Sequence, residues 1–504
     1  MSPPFRRTKI LTPMRMATTL LYALTATAAR RSVSVAAFRC VPRLTRPPAP
    51  SRSRTAAAGR RRRRRSEDAA AAPVRRTEMV PHPGSGPEIS RVRPDDYAAL
   101  LRAKVAVLEG RVRDAFSASH PGNIPARLPE TEVFESSRAA FRMRANFKVW
   151  RTEDGSAHYV MFERGDVRTP HEVAEYPMGS AQLQGLMGPL LDAVRTTEEL
   201  RERINDVRFL TTLRGDALIT VTYNRPIGED WAAAAGALSA RLADAGYGAV
   251  SFVGRSRGVK LVVGSDTVRE TLTVVPPPAG DAAATHRASL TPRLRYEQTE
   301  GAFSQPNAEV CEKMLGWAAD AARGSHDHDL CELYCGNGCF TAALAPNFRG
   351  VVATETSKAS VELARRNLAA NDLHNVRVAR LSAEDFVDAY AGVRTFQRLR
   401  DARIRLVAAG TPPPDGPPPD PDGVAVFDRL RTLFVDPPRA GLDVTCRDLA
   451  RTFDRIVYVS CNPETLARDL TDLAATHRPV RLAAFDQFPY TPHLEAGVVL
   501  ERRR

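Results

Sequence analysis

Four clusters in the C-terminal part of this 504-residue chain combine residue types that can do chemistry. The run Glu332-Leu333-Tyr334-Cys335-Gly336-Asn337-Gly338 closes an apolar stretch and opens a helical one, and Glu355 follows Gly336 by nineteen residues. Further on stand Asp436-Pro437-Pro438-Arg439, then Ser460-Cys461-Asn462-Pro463, and finally Glu495 behind His493. Glycines just past a strand let a ligand approach the backbone, and an acid ending the next strand can accept both ribose hydroxyls of an adenosine. Gly336 and Glu355 are therefore candidate cofactor contacts. The longer G-x-G-x-x-G run and any phosphate-binding lysine motif are missing, which favours a cofactor without a pyrophosphate. S-adenosylmethionine fits that description. The bland alternative is two turns and an incidental acid.

Cys331, Cys335 and Cys339 are spaced four apart and invite an iron–sulfur reading. A cluster needs thiolates converging on one point, whereas these fall in a strand, a turn and a helix start, so no metal is expected. Seven cysteines, with Cys40, Cys311, Cys446 and Cys461 completing the set, form no paired framework and point to free thiols.

Chemistry at these positions needs elements that bring them to one place. From Asp329 onward apolar strands alternate with helical stretches, which predicts an α/β, doubly wound, mostly parallel Rossmann-like domain over residues 291–504. In such a sheet DPPR and SCNP both fall at the carboxyl edge, beside the cofactor. The stretch 411–423 (TPPPDGPPPDPDG) is a Pro-rich insert suited to a surface loop. Before this domain, residues 91–290 predict a smaller α+β domain, with a Pro-rich linker at Val275–Pro278. It opens with a helix over Tyr97–Phe116, where Leu100, Leu101, Val105, Leu108 and Val112 keep helical spacing. In FRMRANFKV (141–149) apolar residues alternate with Arg142, Arg144, Asn146 and Lys148, which predicts a strand with one core face and one cationic face. Those three cations are candidate RNA contacts; an ordinary solvated face is the alternative. The turn Gly254–Lys260 adds three more cations.

The net charge of +14 is unevenly placed. Residues 1–66 hold 17 Lys and Arg and no acid, which leaves 55 basic against 58 acidic residues elsewhere. A nucleic-acid surface on the folded part must therefore be a local patch. The composition of residues 1–90 suggests a basic tail acting as an organelle transit peptide, for mitochondrion or plastid. A later start at Met79 and a nuclear signal at Arg60–Arg65 are the alternatives. Ala17–Ala29 is too short to span a bilayer, and no membrane partner is expected.

Five separated motifs, FSQPN (303–307), LYCGNG, FVDPPRAGL, YVSCNPET and FDQFPYTPHLE, together with FRMRANFKVW, resemble the tRNA (uracil-5-)-methyltransferase family from about Tyr97 to the C-terminus. The resemblance implies a covalent mechanism in which a thiolate adds to C6 of uracil, C5 attacks a sulfonium methyl, and a base then removes the C5 proton. It maps the nucleophile onto Cys461 and the base onto Glu495. It further implies that Gln305, Tyr334, Glu355 and Asp436 hold S-adenosylmethionine, with Asp436 also near the uracil. The implied substrate is uridine 54 in the T loop of tRNA, everted from its stack, and a monomer is expected. Cys461 should have its pKa lowered by neighbouring dipoles or cations, Arg439 among them. Cys339 departs from the family, which often has Asn there, so one contact to the cofactor's carboxylate end is in doubt. Rival readings are a ribosomal RNA uridine methyltransferase, disfavoured because no four-cysteine cluster precedes the catalytic domain, an amino-group methyltransferase with D/N-P-P-Y, and a non-catalytic RNA-binding protein.

Overall fold

The computed structural model describes residues 90–119, 128–274, 292–407 and 423–503, except 153, 164 and 167. The basic tail before Ser90, the Val275–Pro278 linker and the Pro-rich insert before Gly423 lie outside the described residues.

Helical spacing becomes a buried stripe in α1, Tyr97–Ser119, where Tyr97, Leu101, Lys104, Leu108, Val112 and Phe116 all face inward. The strand β1, Thr131–Phe134, follows. Alternation then builds β2, Arg144–Arg151: Ala145, Phe147 and Val149 are buried while Asn146 and Lys148 are exposed. This strand starts three residues later than the alternation suggests, because Arg142 instead forms isolated bridges to Gly179 and Asn307.

A seven-stranded sheet grows around β2. It adds β3 (Ala157–Met161), β4 (His171–Glu172), β5 (Ile204–Thr211), β6 (Ala217–Tyr223), β7 (Val250–Ser256) and β8 (Val259–Val263), in the order β4-β3-β2-β5-β6-β7-β8. Only β6 and β7 run parallel, joined through the helix Glu229–Leu242. That helix and Ala181–Thr196 contribute Trp231, Leu238, Leu183 and Leu190 to the same core as Phe147, Phe209 and Ile219. A two-stranded ribbon, β9 (Thr267–Thr273) against β10 (Arg293–Thr299), leads onward. The expected boundary near residue 290 thus falls between two paired strands.

The larger sheet comprises β11 (Asp329–Leu333), β12 (Gly350–Glu355), β13 (Val376–Arg380), β16 (Leu430–Val435), β17 (Arg455–Ser460), β18 (His477–Phe485) and β19 (Glu495–Arg502). Two short strands, β14 (Ile404–Leu406) and β15 (Ala425–Phe427), pair separately. The sheet order is β1-β18-β19-β17-β16-β11-β12-β13, with β19 alone antiparallel to its neighbours. β11 continues to β12 on one side and pairs with β16 on the other, so the strand order reverses there. This is the doubly wound α/β arrangement expected, and the reversal opens a crevice at the carboxyl edge. β1 adds a parallel edge strand, and α1 packs on the helix Pro463–Leu473, so both belong to this layer rather than to the seven-stranded sheet. Among the described residues no helix is long and apolar enough to cross a membrane.

Candidate active site

Sheet register brings the chemistry-bearing residues together. Leu333 pairs with both Thr354 and Val435, so Tyr334 and Asp436, each one residue past its strand, emerge beside Glu355, the last residue of β12. Ser460 opposes Ala496 in an antiparallel pair, and one step further Cys461 stands across from Glu495. Cys461 then leads into the helix Pro463–Leu473, whose N-cap Asn462 accepts from Glu464 N and donates to Arg439 O at 3.0 Å. Thr465 also donates to Arg439 O, tying the DPPR segment to the nucleophile turn.

These residues line one cavity of about 710 Å³. Its walls include Gln305, Tyr334, Gly336, Glu355, Asp436, Arg439, Cys461 and Glu495, together with Arg144 from the smaller sheet. Arg144 reaches it because Met143 N donates to Pro306 O at 2.8 Å, which docks the start of β2 on the FSQPN segment. Its guanidinium lies 5.1 Å from the ring centroid of Phe303, a phenylalanine left 65% exposed at the same cavity. Arg142 and Lys148 do not line it. Arg142 donates to Arg144 O, and Lys148 lies 3.5 Å from the buried Asp206 of its own sheet. Of the three cations expected to meet RNA, the structure brings only Arg144 to the site.

The glycine turn has the expected geometry. Gly336 adopts φ +56° and Gly338 φ +79°, and a Cβ on Gly336 would meet nothing within 4 Å, so its backbone faces open space. Tyr334 is held at φ +63° despite its side chain, a strained conformation of the kind stored at functional sites. Glu355 accepts from Gly336 N and Ser357 N, which fixes its carboxylate at the rim. Cys339 lines the cavity with Cys311, their sulfurs 3.8 Å apart.

The cavity is rich in acid. Glu332 is buried, lines the wall, and leaves Oε2 without a hydrogen-bond partner. Burial pushes its carboxyl up to about 8. Burial also raises Asp436 to about 7. Glu495 rises to about 8 through burial and then the Asp436 charge, with Arg439 opposing. Such a wall fits a donor that carries a sulfonium and an ammonium and no phosphate, with the Glu332 orphan oxygen offering an acceptor. Cys461 departs from expectation. Its thiol is pushed up to about 11, by burial first and then by Glu495 and Asp436, and Arg439 lowers it by less. The cation is present, but desolvation and two carboxyls outweigh it.

Sequence reasoning missed Glu332 and Phe303 as cavity residues, although both lie inside quoted motifs. It also missed Lys104, whose ammonium donates to Asp486, Phe488 O and His493 O. A lone lysine at helical spacing between Leu101 and Leu108 was the available signal.

Comparison with known proteins supplies the family. A model described as tRNA (Uracil-5-)-methyltransferase matches residues 123–412 and 425–503, breaking at the Pro-rich stretch. A tRNA/tmRNA (uracil-C(5))-methyltransferase of Ectopseudomonas mendocina is 48% identical over 379 residues, covering 75% of this chain and 92% of that protein. One from Vibrio cholerae is 41% identical and covers 82% and 99%. Among solved structures, the tRNA (uracil-54, C5)-methyltransferase of Pyrococcus abyssi, in complex with S-adenosyl-L-homocysteine, shares the fold at TM-score 0.50 and 18% identity, covering 80% of this chain and 83% of that one. The relatives also correct one expectation. They are bacterial proteins, from cells with neither mitochondria nor plastids, so the organelle address read from the tail does not stand. With matches over well more than half its length, the chain belongs to the tRNA (uracil-5-)-methyltransferase family.

Proposed function

We propose that this chain methylates C5 of the T-loop uridine 54 of tRNA, acting as a monomer through a covalent adduct between Cys461 and C6 of the base. The observation that carries the reading is one cavity lined by a thiol, two raised carboxyls and a cation, adjoining the glycine turn and its acid. S-adenosylmethionine supplies an electrophilic methyl, and Gln305, Tyr334, Gly336, Glu355 and Asp436 are the residues that would hold it.

The chain's own residues carry the rest. Cys461 Sγ gives an electron pair to C6, and the C5–C6 π electrons move toward the C4 oxygen, which makes C5 nucleophilic. C5 takes the methyl with the enolate pair as the C4 carbonyl re-forms, and the pair of the broken C–S bond stays on the donor's sulfur, which leaves as a neutral thioether. Glu495 as carboxylate then removes the C5 proton, the freed pair re-forms C5–C6, and the sulfur leaves as thiolate. Arg439, whose charge favours the thiolate of Cys461, offsets the charge that gathers on sulfur. Arg144 and the exposed Phe303 offer a guanidinium and a ring to the RNA at the cavity.

The test is nucleoside analysis of T-arm transcripts incubated with purified protein and S-adenosylmethionine. 5-Methyluridine at position 54 is expected, and its absence from transcripts with that uridine replaced by cytidine. A methylated product at an exocyclic nitrogen, or none, would overturn the reading.

A further inference from the structure

The segment 486–494 joins β18 to β19 and delivers Glu495. Its two ends meet, since Phe485 pairs with Glu495. Its middle contacts the cofactor side: Gln487 accepts from Asn307 N at 3.0 Å and donates to Gln305 at 3.4 Å, and Phe488 lines the cavity. Tyr490 sits at φ +64°, a costly conformation for a tyrosine, with its hydroxyl donating to Arg138 O. Such a loop does not hold its shape alone.

Helix α1 supplies the restraint. Tyr97 packs edge-on against Tyr490 at 6.0 Å. Lys104, only 7% exposed, spends all three ammonium donors on this loop: Asp486 Oδ1 at 2.5 Å, Phe488 O at 3.1 Å and His493 O at 3.2 Å. One nitrogen thus spans the loop from its first residue to two before Glu495. The same helix reaches the nucleophile turn, where Arg111 bonds Glu464 at 2.9 Å. Stability alone is a poor explanation for Lys104. Two buried ions cost desolvation, Asp486 Oδ2 has no partner, and an apolar residue in that stripe would do as well or better.

On the strength of the methyl-transfer reading above, we propose that Lys104 is a positioning residue for the last chemical step: from α1 it clamps the 486–494 loop so that Glu495 faces C5 of the base bonded to Cys461. Addition of the thiol needs no such clamp, because Cys461 is placed by β17 and the helix after it.

Lys104→Met strands a buried carboxylate, so it is tested beside the double variant Lys104→Met/Asp486→Asn, which removes both charges yet still leaves the two loop carbonyls without a donor. Both are assayed as full chains with ordinary tRNA and with 5-fluorouridine tRNA. Expected are wild-type capture of the fluorinated RNA, tRNA KM within about twofold, kcat lower by on the order of tenfold to a hundredfold, and methyl-labelled protein–RNA adduct accumulating on ordinary tRNA. A folded double variant that turns over at the wild-type rate would overturn the proposal. So would one that loses capture and turnover in equal proportion. Wild-type protein that captures no fluorinated RNA would instead overturn the covalent reading itself, and the clamp with it.

Discussion

Asp436, Glu495 and Cys461 line one cavity with the exposed Arg439, and in the proposed mechanism the balance among them sets when each can act. Both carboxyls are raised toward neutrality and the thiol is raised further. In the proposed mechanism addition needs the Cys461 thiolate and elimination needs the Glu495 carboxylate, so both required forms are the deprotonated ones. A raised pKa delays each of them, and activity should climb as pH rises through Glu495's raised value. We expect kcat to increase between about pH 6 and about pH 9; a flat profile would contradict these assignments. Removing the base should separate the two halves of the reaction. Glu495→Gln is expected to keep adduct formation and lose turnover by at least about a hundredfold, leaving RNA attached in denaturing gels. A variant that turns over freely without adduct would place the base elsewhere.

At the scale of elements, the catalytic half was legible because parallel strands buried on both faces read as short apolar runs, each ending in a polar turn. DLCEL, GVVATE and RIVYVS mark β11, β12 and β17, and their ends mark the site. The smaller sheet was less legible. In β5 the buried Asp206 interrupts the apolar alternation, and at the edge of the larger sheet β1 has only Phe134 to bury, so neither strand carries a clear period. Cross-chain facts were invisible: no local pattern says that Arg144 docks beside Gln305, or that the basic Lys148 is answered by Asp206 in the next strand. Register also fixes where a small residue is required. Gly497 lies two residues past Glu495, and a Cβ there would come within 2.8 Å of Trp317 and 3.1 Å of Phe485. Trp317 is fully buried and cannot withdraw cheaply. Gly497→Ala should cost about 1–3 kcal/mol in urea unfolding; a loss below about 0.5 kcal/mol would mean that β19 shifts freely.

The whole molecule carries its surplus charge in the first 66 residues and is slightly acidic elsewhere. The proposed tRNA contact therefore rests on local cations, Arg144 first among them, rather than on a global field. Arg144→Ala should weaken T-arm RNA binding and reduce the slope of log K against log salt by about one, whereas Lys148→Ala should change it little. Equal effects at both positions would return the patch to the outer face of β2. All of this presupposes a bond between Cys461 and the base, and that bond can be caught directly. Fluorine at C5 cannot leave as a cation, so 5-fluorouridine T-arm RNA incubated with protein and S-adenosylmethionine should yield a complex that survives denaturing electrophoresis, carries the donor's methyl label, and is absent with Cys461→Ala. A Cys461→Ala protein that still captures this RNA, or still makes 5-methyluridine at the wild-type rate, would contradict it.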